Sequence, residues 1–179
     1  DEAAYGRTHP LSGDRIQTLR GLLEEDPAWN RPLDPDLEER FQRAKAKLYG
    51  YLAEPRRVLT YFPPSNTSIP ARYARAYAYH KDARVDLALA ETDALLAAEP
   101  DNPYFLELKG QVLLESGRPQ EALVPLRRAT ELTRAHPLIA GILGHALIAT
   151  EKPDNFAEAE SVLRASVQRD RYNPFAWYQ

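Results

Sequence analysis

Residues 102–137, NPYFLELKGQVLLESGRPQEALVPLRRATELTRAHP, decide the fold. Two amphipathic helices are written in them. Leu106, Gly110 and Leu113 fall on one face of the first, and Ala122, Leu126 and Ala129 on one face of the second, at the three- and four-residue spacing of side chains that share a helix side. Between them Ser116-Gly117-Arg118-Pro119 reads as a tight turn, because glycine takes positive φ at little cost and proline suits the first turn of a helix. Small residues at Gly110, Ala122 and Ala129 let the two backbones approach closely.

The pattern recurs in phase. Pro137 lies 34 residues after Pro103, and Gly144 stands where Gly110 stood. Ala159 and Leu163 then take the places of Ala122 and Leu126, after a turn expected to be three residues longer, at 151–156. Pro174 opens a further unit, PFAWYQ, with Trp177 in the large apolar position of Leu106. Backwards, Pro70 opens a unit with Tyr73 and Ala88 in register and Tyr77 in place of the glycine. A helix-turn-helix unit of about 34 residues repeated in this way resembles the tetratricopeptide repeat. The resemblance covers 70–102, 103–136, 137–173 and the partial 174–179. It implies an all-α fold, a right-handed superhelical solenoid preceded by a helical linker.

Composition narrows the classes. The 179 residues are 44% hydrophobic and 27% charged, the expected composition of a soluble protein. No apolar run reaches the roughly 20 residues of a membrane helix. A net charge of −3 with interspersed signs argues against a nucleic-acid surface. Cysteine is absent, which removes disulfide and thiolate chemistry. Methionine is absent too, even at position 1, and PFAWYQ reads as a helix cut short; both lead to the expectation of a piece of a longer protein. Phe175, Trp177 and Tyr178 either dock on the helix carrying Val162 and Leu163 or stay exposed and favour dimerisation.

Ahead of the repeats, Asp14 to Glu25 carries Ile16, Leu19, Leu22 and Leu23 at helical spacing. After a proline-rich loop a second helix opens, with Asp34 as N-cap and Pro35 at the first helical position. Leu37, Phe41, Ala44, Leu48 and Leu52 are expected to form its buried face. A shorter piece, RRVLTYF, follows, and residues 27–69 together read as a linker or degenerate hairpin.

The N-terminal run Thr8-His9-Pro10-Leu11-Ser12-Gly13-Asp14-Arg15-Ile16, followed by a helical linker containing AKAKLYGYL and then the repeats, resembles the C-terminal half of certain bacterial zinc metalloproteases. These are the HtpX-like and BepA-like members of metallopeptidase family forty-eight. The resemblance implies that residues 1–26 are the end of a peptidase domain, that the whole protein is a periplasmic zinc-dependent metalloendopeptidase, and that the repeats recruit substrate proteins or partner complexes. Catalysis in that family needs two histidines four residues apart, with a glutamate general base between them. Here only His9, His80, His136 and His145 occur, and none has another histidine four residues on. No catalytic residue and no metal ligand set is therefore expected in this chain. His9 is a candidate to approach the zinc of the whole enzyme, or else it caps or packs the following helix. Zinc is implied for the parent, with no cofactor in this piece.

Carboxylate groups such as Glu24-Glu25-Asp26 are explained by helix ends, and Arg56-Arg57 and Arg127-Arg128 by solvated helix faces. Tetratricopeptide arrays bind along an inner surface made by the first helix of each unit. Transferred to this chain, the inward positions are Tyr104, Glu107, Gln111, Leu114 and Glu115, then Leu138, Gly141, His145, Ile148 and Ala149, with Ala71, Ala74, Ala78, Lys81 and Asp82 in the preceding unit. The peptide- or partner-binding candidates are Tyr104, Glu107, Gln111, Leu114, Glu115, Leu138, His145 and Ile148. The face is expected to hold an extended peptide or a partner helix, or to be taken up by packing within the chain or against the protease domain. A stand-alone scaffold with no protease parent is the alternative reading.

Overall fold

A computed structural model describes residues 12–179, without the side chain of Ser12. Thr8, His9 and Pro10 of the N-terminal motif lie outside the described residues. Every regular element described is an α-helix: α1 (Ser12–Glu24), α2 (Pro35–Leu52), α3 (Pro55–Tyr61), α4 (Ile69–Lys81), α5 (Val85–Ala98), α6 (Pro103–Glu115), α7 (Pro119–Leu132), α8 (Pro137–Ala149), α9 (Pro153–Arg169) and α10 (Pro174–Tyr178). The described residues fall into two compact units, 12–40 and 41–179.

In the first unit, α1 is the amphipathic helix expected there. The carboxylate of Asp34 accepts from the backbone N–H of Asp36 at 2.9 Å and of Leu37 at 3.4 Å, so α2 is capped as its sequence requires.

In the second unit the helices pack in sequential pairs, α4 with α5, α6 with α7 and α8 with α9. Each pair also rests on the next through α5·α6 and α7·α8, the packing of an α-solenoid. The pairs share their punctuation. Proline stands in the first turn of α4, α6, α8 and α10, and the side chains of Ser68, Asn102 and Asn173 accept from N–H groups in the first turns of α4, α6 and α10. The turns within the pairs repeat too. Ala83, Gly117 and Glu151 all have positive φ, at 54°, 77° and 55°, and they are spaced 34 residues apart.

The core lies along the line of pairs. Tyr73, Tyr77, Leu95, Phe105, Leu108 and Val112 fill it at α4–α6. Leu113, Leu123, Leu126, Leu143 and Leu147 fill it at α6–α9.

Three expectations need correction. The additional residues after α8 do not lengthen the turn; they extend α9, which begins at Pro153 and runs 17 residues against 14 in α7. Asn155 Nδ2 donates to Thr150 Oγ1 at 2.7 Å across the short connection. The buried face of α2 is not its large apolar stripe: Phe41 is 57% exposed and Leu52 71%, while Ala46 is buried. Gly50 is buried as well. Small residues win here because the helices nearly touch, and a β-carbon on Gly50 would stand 2.6 Å from the carbonyl oxygen of Ala74. Trp177, finally, does not reproduce the burial of Leu106. Leu106 packs with Ala129 and Ile139, whereas Trp177 is 62% exposed and its Nε1 donates to the carbonyl of Arg171 at 3.1 Å.

Candidate partner-binding groove

The positions expected to face inward lie on the first helix of each pair, and the structure separates them into covered and open sets. Ala71, Ala74 and Ala78 on α4 are fully buried. Ala74 and Ala78 are covered by the end of α2 and by α3, in a cluster with Ala46 and Val58. Tyr51 meets the edge of Tyr77 at 6.0 Å between ring centroids. Lys81 Nζ donates to the carbonyls of Tyr51 and Ala53, both at 2.9 Å, where α2 ends. Arg43 forks onto Glu99 at 2.6 and 2.9 Å, and that pairing holds the Glu99 carboxyl below its ordinary range. Part of the inner face is therefore occupied by the chain itself.

The open part lies on α6, α8 and α10. Glu107, Gln111, Leu114 and Glu115 on α6, Leu138, Ile142 and His145 on α8, and Asn173 with Phe175 at the start of α10 enclose a groove of about 360 Å³. Six of the eight candidates read from sequence meet there. Tyr104 is exposed beside Lys47, whose ammonium lies 5.6 Å from the ring centroid. Ile148 faces a different hollow, bounded by Phe156, Leu163 and Trp177.

The groove is acidic and partly apolar. Glu115 accepts from Gln111 Nε2 at 2.8 Å and pairs with His80 Nε2 at 2.7 Å; the hydrogen bond with His80 is the main reason its carboxyl is held below the ordinary range. Glu107 sits about two turns before Glu115 on α6 and is hydrogen-bonded by no described residue. Burial pushes its carboxyl up, against the opposing charges of Lys47 and His136. The His145 imidazole stacks at a tilt on Phe175, 5.6 Å between centroids.

Ile142, Asn173 and Phe175 were missed as groove residues, as was His80, which pairs with Glu115 from the adjoining hollow. Asn173 carries a readable signal, because an Asn-Pro pair opens α10 just as Asn102-Pro103 opens α6. His80 carries none, since its approach to Glu115 depends on how α4 rests against α6.

Among the described residues no group of three histidine, cysteine, aspartate or glutamate side chains is disposed to hold a metal ion. No helix described is long and apolar enough to cross a membrane. What the arrangement offers is a groove lined by carboxylates, amides, an imidazole and apolar side chains.

The described residues thus form an all-helical solenoid with an open groove on α6, α8 and α10. No protein-family model matches the chain. It is similar to the proteins named beta-barrel assembly-enhancing protease of Escherichia coli strain K12, of Shigella flexneri and of Escherichia coli O157:H7. Identity is 27% over 177 residues in each case, covering 95% of this chain and 35% of the relative. The chain thus spans about a third of the length of these curated relatives.

Proposed function

We propose that this chain is a tetratricopeptide-type, non-catalytic interaction region of a zinc-dependent metalloendopeptidase acting in the bacterial periplasm, and that it recruits substrate proteins or partner complexes. The observation that carries the reading is the open groove on α6, α8 and α10, on a solenoid similar along 95% of its length to proteins named as proteases. Its residues suit holding a polypeptide and include no nucleophile–base pair. Zinc is assigned to the remainder of such an enzyme. His9 is proposed to approach that metal, and the exposed Phe175, Trp177 and Tyr178 to favour contact with a second copy or with the adjoining domain.

The test compares the longest natural protein containing this sequence with the 179-residue chain alone. Each is incubated with a reduced, alkylated and therefore unfolded protein, with and without a zinc chelator. Chelator-sensitive cleavage by the longer protein and none by the chain supports the reading. No cleavage by either, with no zinc bound to the longer protein, overturns it in favour of a scaffold without a protease parent.

A further inference from the structure

Two polar groups in the groove are left without a hydrogen bond by the protein itself. The half-buried Glu107 carboxylate is one. The other is Asn173 Nδ2, which is buried and donates to nothing among the described residues; the residue as a whole is 7% exposed. Comparison with the equivalent corner of α6 explains why. There Asn102 caps the helix with its oxygen and donates Nδ2 to Glu99 Oε2 at 2.8 Å. At α10 the position of Glu99 is taken by Asp170, one methylene shorter, whose carboxylate instead accepts from the backbone N–H of Tyr172 at 3.3 Å. Asn173 still caps its helix, accepting from Ala176 N–H at 3.3 Å, but its amide donor has lost the local acceptor. Buried donors without acceptors are rare because their desolvation is uncompensated.

The surroundings say what would complete both groups. Leu114, Leu138, Ile142 and Phe175 supply apolar area, and neither lysine nor arginine lines the groove. Two carboxylates face an occupant, one of them already engaged by His80 and Gln111. An acidic occupant would be repelled. A helical occupant has its carbonyls committed internally, whereas an extended one offers them outward.

We propose that this groove binds an extended polypeptide segment carrying lysine or arginine between apolar residues. A backbone carbonyl of the segment accepts from Asn173 Nδ2, the basic side chain pairs with Glu107, and the flanking apolar side chains rest on Leu138, Ile142 and Phe175. The inference deepens the proposed function and rests on its polypeptide-binding reading.

Three fluorescent, end-capped nine-residue peptides test it, alike in a Leu/Ser background and carrying lysine, glutamine or glutamate at the same two positions. Anisotropy titrations with the whole chain should rank lysine above glutamine by about tenfold, with glutamate weakest. Glu107→Gln should bring the lysine peptide to the level of the glutamine peptide. Asn173→Asp keeps the capping oxygen but removes the donor, and should weaken the glutamine peptide about fivefold. Thermal melts confirm that both variants fold. Binding of all three peptides alike, or ranking unaffected by Glu107→Gln, overturns this inference and leaves the polypeptide-binding reading standing. Binding of none overturns both.

Discussion

A β-carbon on Gly110 would stand 2.6 Å from Cδ2 of Leu126, and one on Gly144 would stand 2.6 Å from Cδ2 of Leu163. The same glycine–leucine contact thus closes two successive helix pairs. In the first pair the sizes are exchanged, with Tyr77 at the glycine's place and the buried Thr92 at the leucine's.

Gly110→Ala should therefore destabilise the protein, by about 1–3 kcal/mol of overpacking, against a helix-propensity gain of about 1 kcal/mol. In a Leu126→Ala background the clash is gone and only the gain remains, so the same substitution should become neutral or stabilising. Urea melts of the four proteins read the change of sign.

The turn positions make a second prediction. Glu151 holds φ at 55° with a β-carbon present, a conformation that costs an ordinary residue about 1–2 kcal/mol. Glu151→Gly should raise stability by about 0.5–1 kcal/mol once the greater freedom of glycine in the unfolded chain is subtracted. Gly117→Ala, at φ 77°, should lower it by about 1 kcal/mol. Calorimetric melts check both.

Arg75 is 1% exposed and fully engaged. Its Nε and Nη2 reach Glu91 at 2.6 and 3.1 Å, and Nη1 donates to the carbonyls of Pro63 and Asn66 at 2.9 and 2.7 Å. Glu91→Ala leaves Arg75 buried without a counter-charge and should cost about 3–5 kcal/mol, whereas Arg75→Ala should cost less, because Arg72 Nη1 still donates to Glu91 Oε2 at 3.1 Å. The loop at 63–66, released from Nη1, should become the first site of limited proteolysis in Arg75→Ala.

Glu107 should give stability an opposite pH dependence from Glu99 and Glu115. Its carboxyl titrates above its unfolded value, so folding tolerates the protonated form and is penalised as pH rises through the folded value. Glu99 and Glu115 titrate below theirs, so their stabilisation is present above the unfolded carboxylate range and is lost as pH falls through the folded values. Glu107→Gln should raise the melting temperature by a few degrees at neutral pH, with the gain vanishing in acid. Glu99→Gln should lower it at neutral pH and approach neutrality in acid. Melting curves from pH 3 to 8 separate the two.

Much of the fold was legible because its punctuation is local. Proline at Pro103, Pro137 and Pro174 and the small residues at Gly110 and Gly144 act within one or two turns of where they stand. The set of Glu107, Gln111, Leu114 and Glu115 comes instead from the resemblance to the tetratricopeptide repeat, whose inward positions are transferred to this chain. What stayed hidden depends on neighbours distant in sequence. Periodicity finds the stripe of Phe41, Leu48 and Leu52 but not that α2 turns Ala46 and Gly50 inward, since that choice is made by the flat alanine surface of α4. Arg75 reads as one more surface cation until the carbonyls of the preceding loop close around it. The unpaired amide of Asn173 emerges only when Asp170 is compared with Glu99.

The central claim is that the groove on α6, α8 and α10 holds another polypeptide. A photoreactive amino acid placed at Leu138, inside the groove, and at Val124, exposed on α7, tests it directly against a reduced and alkylated unfolded protein. Cross-linking from position 138 that greatly exceeds that from 124, and that unlabelled unfolded protein competes away, is the predicted result. Equal yields from both positions, or yield from 124 alone, would contradict the account.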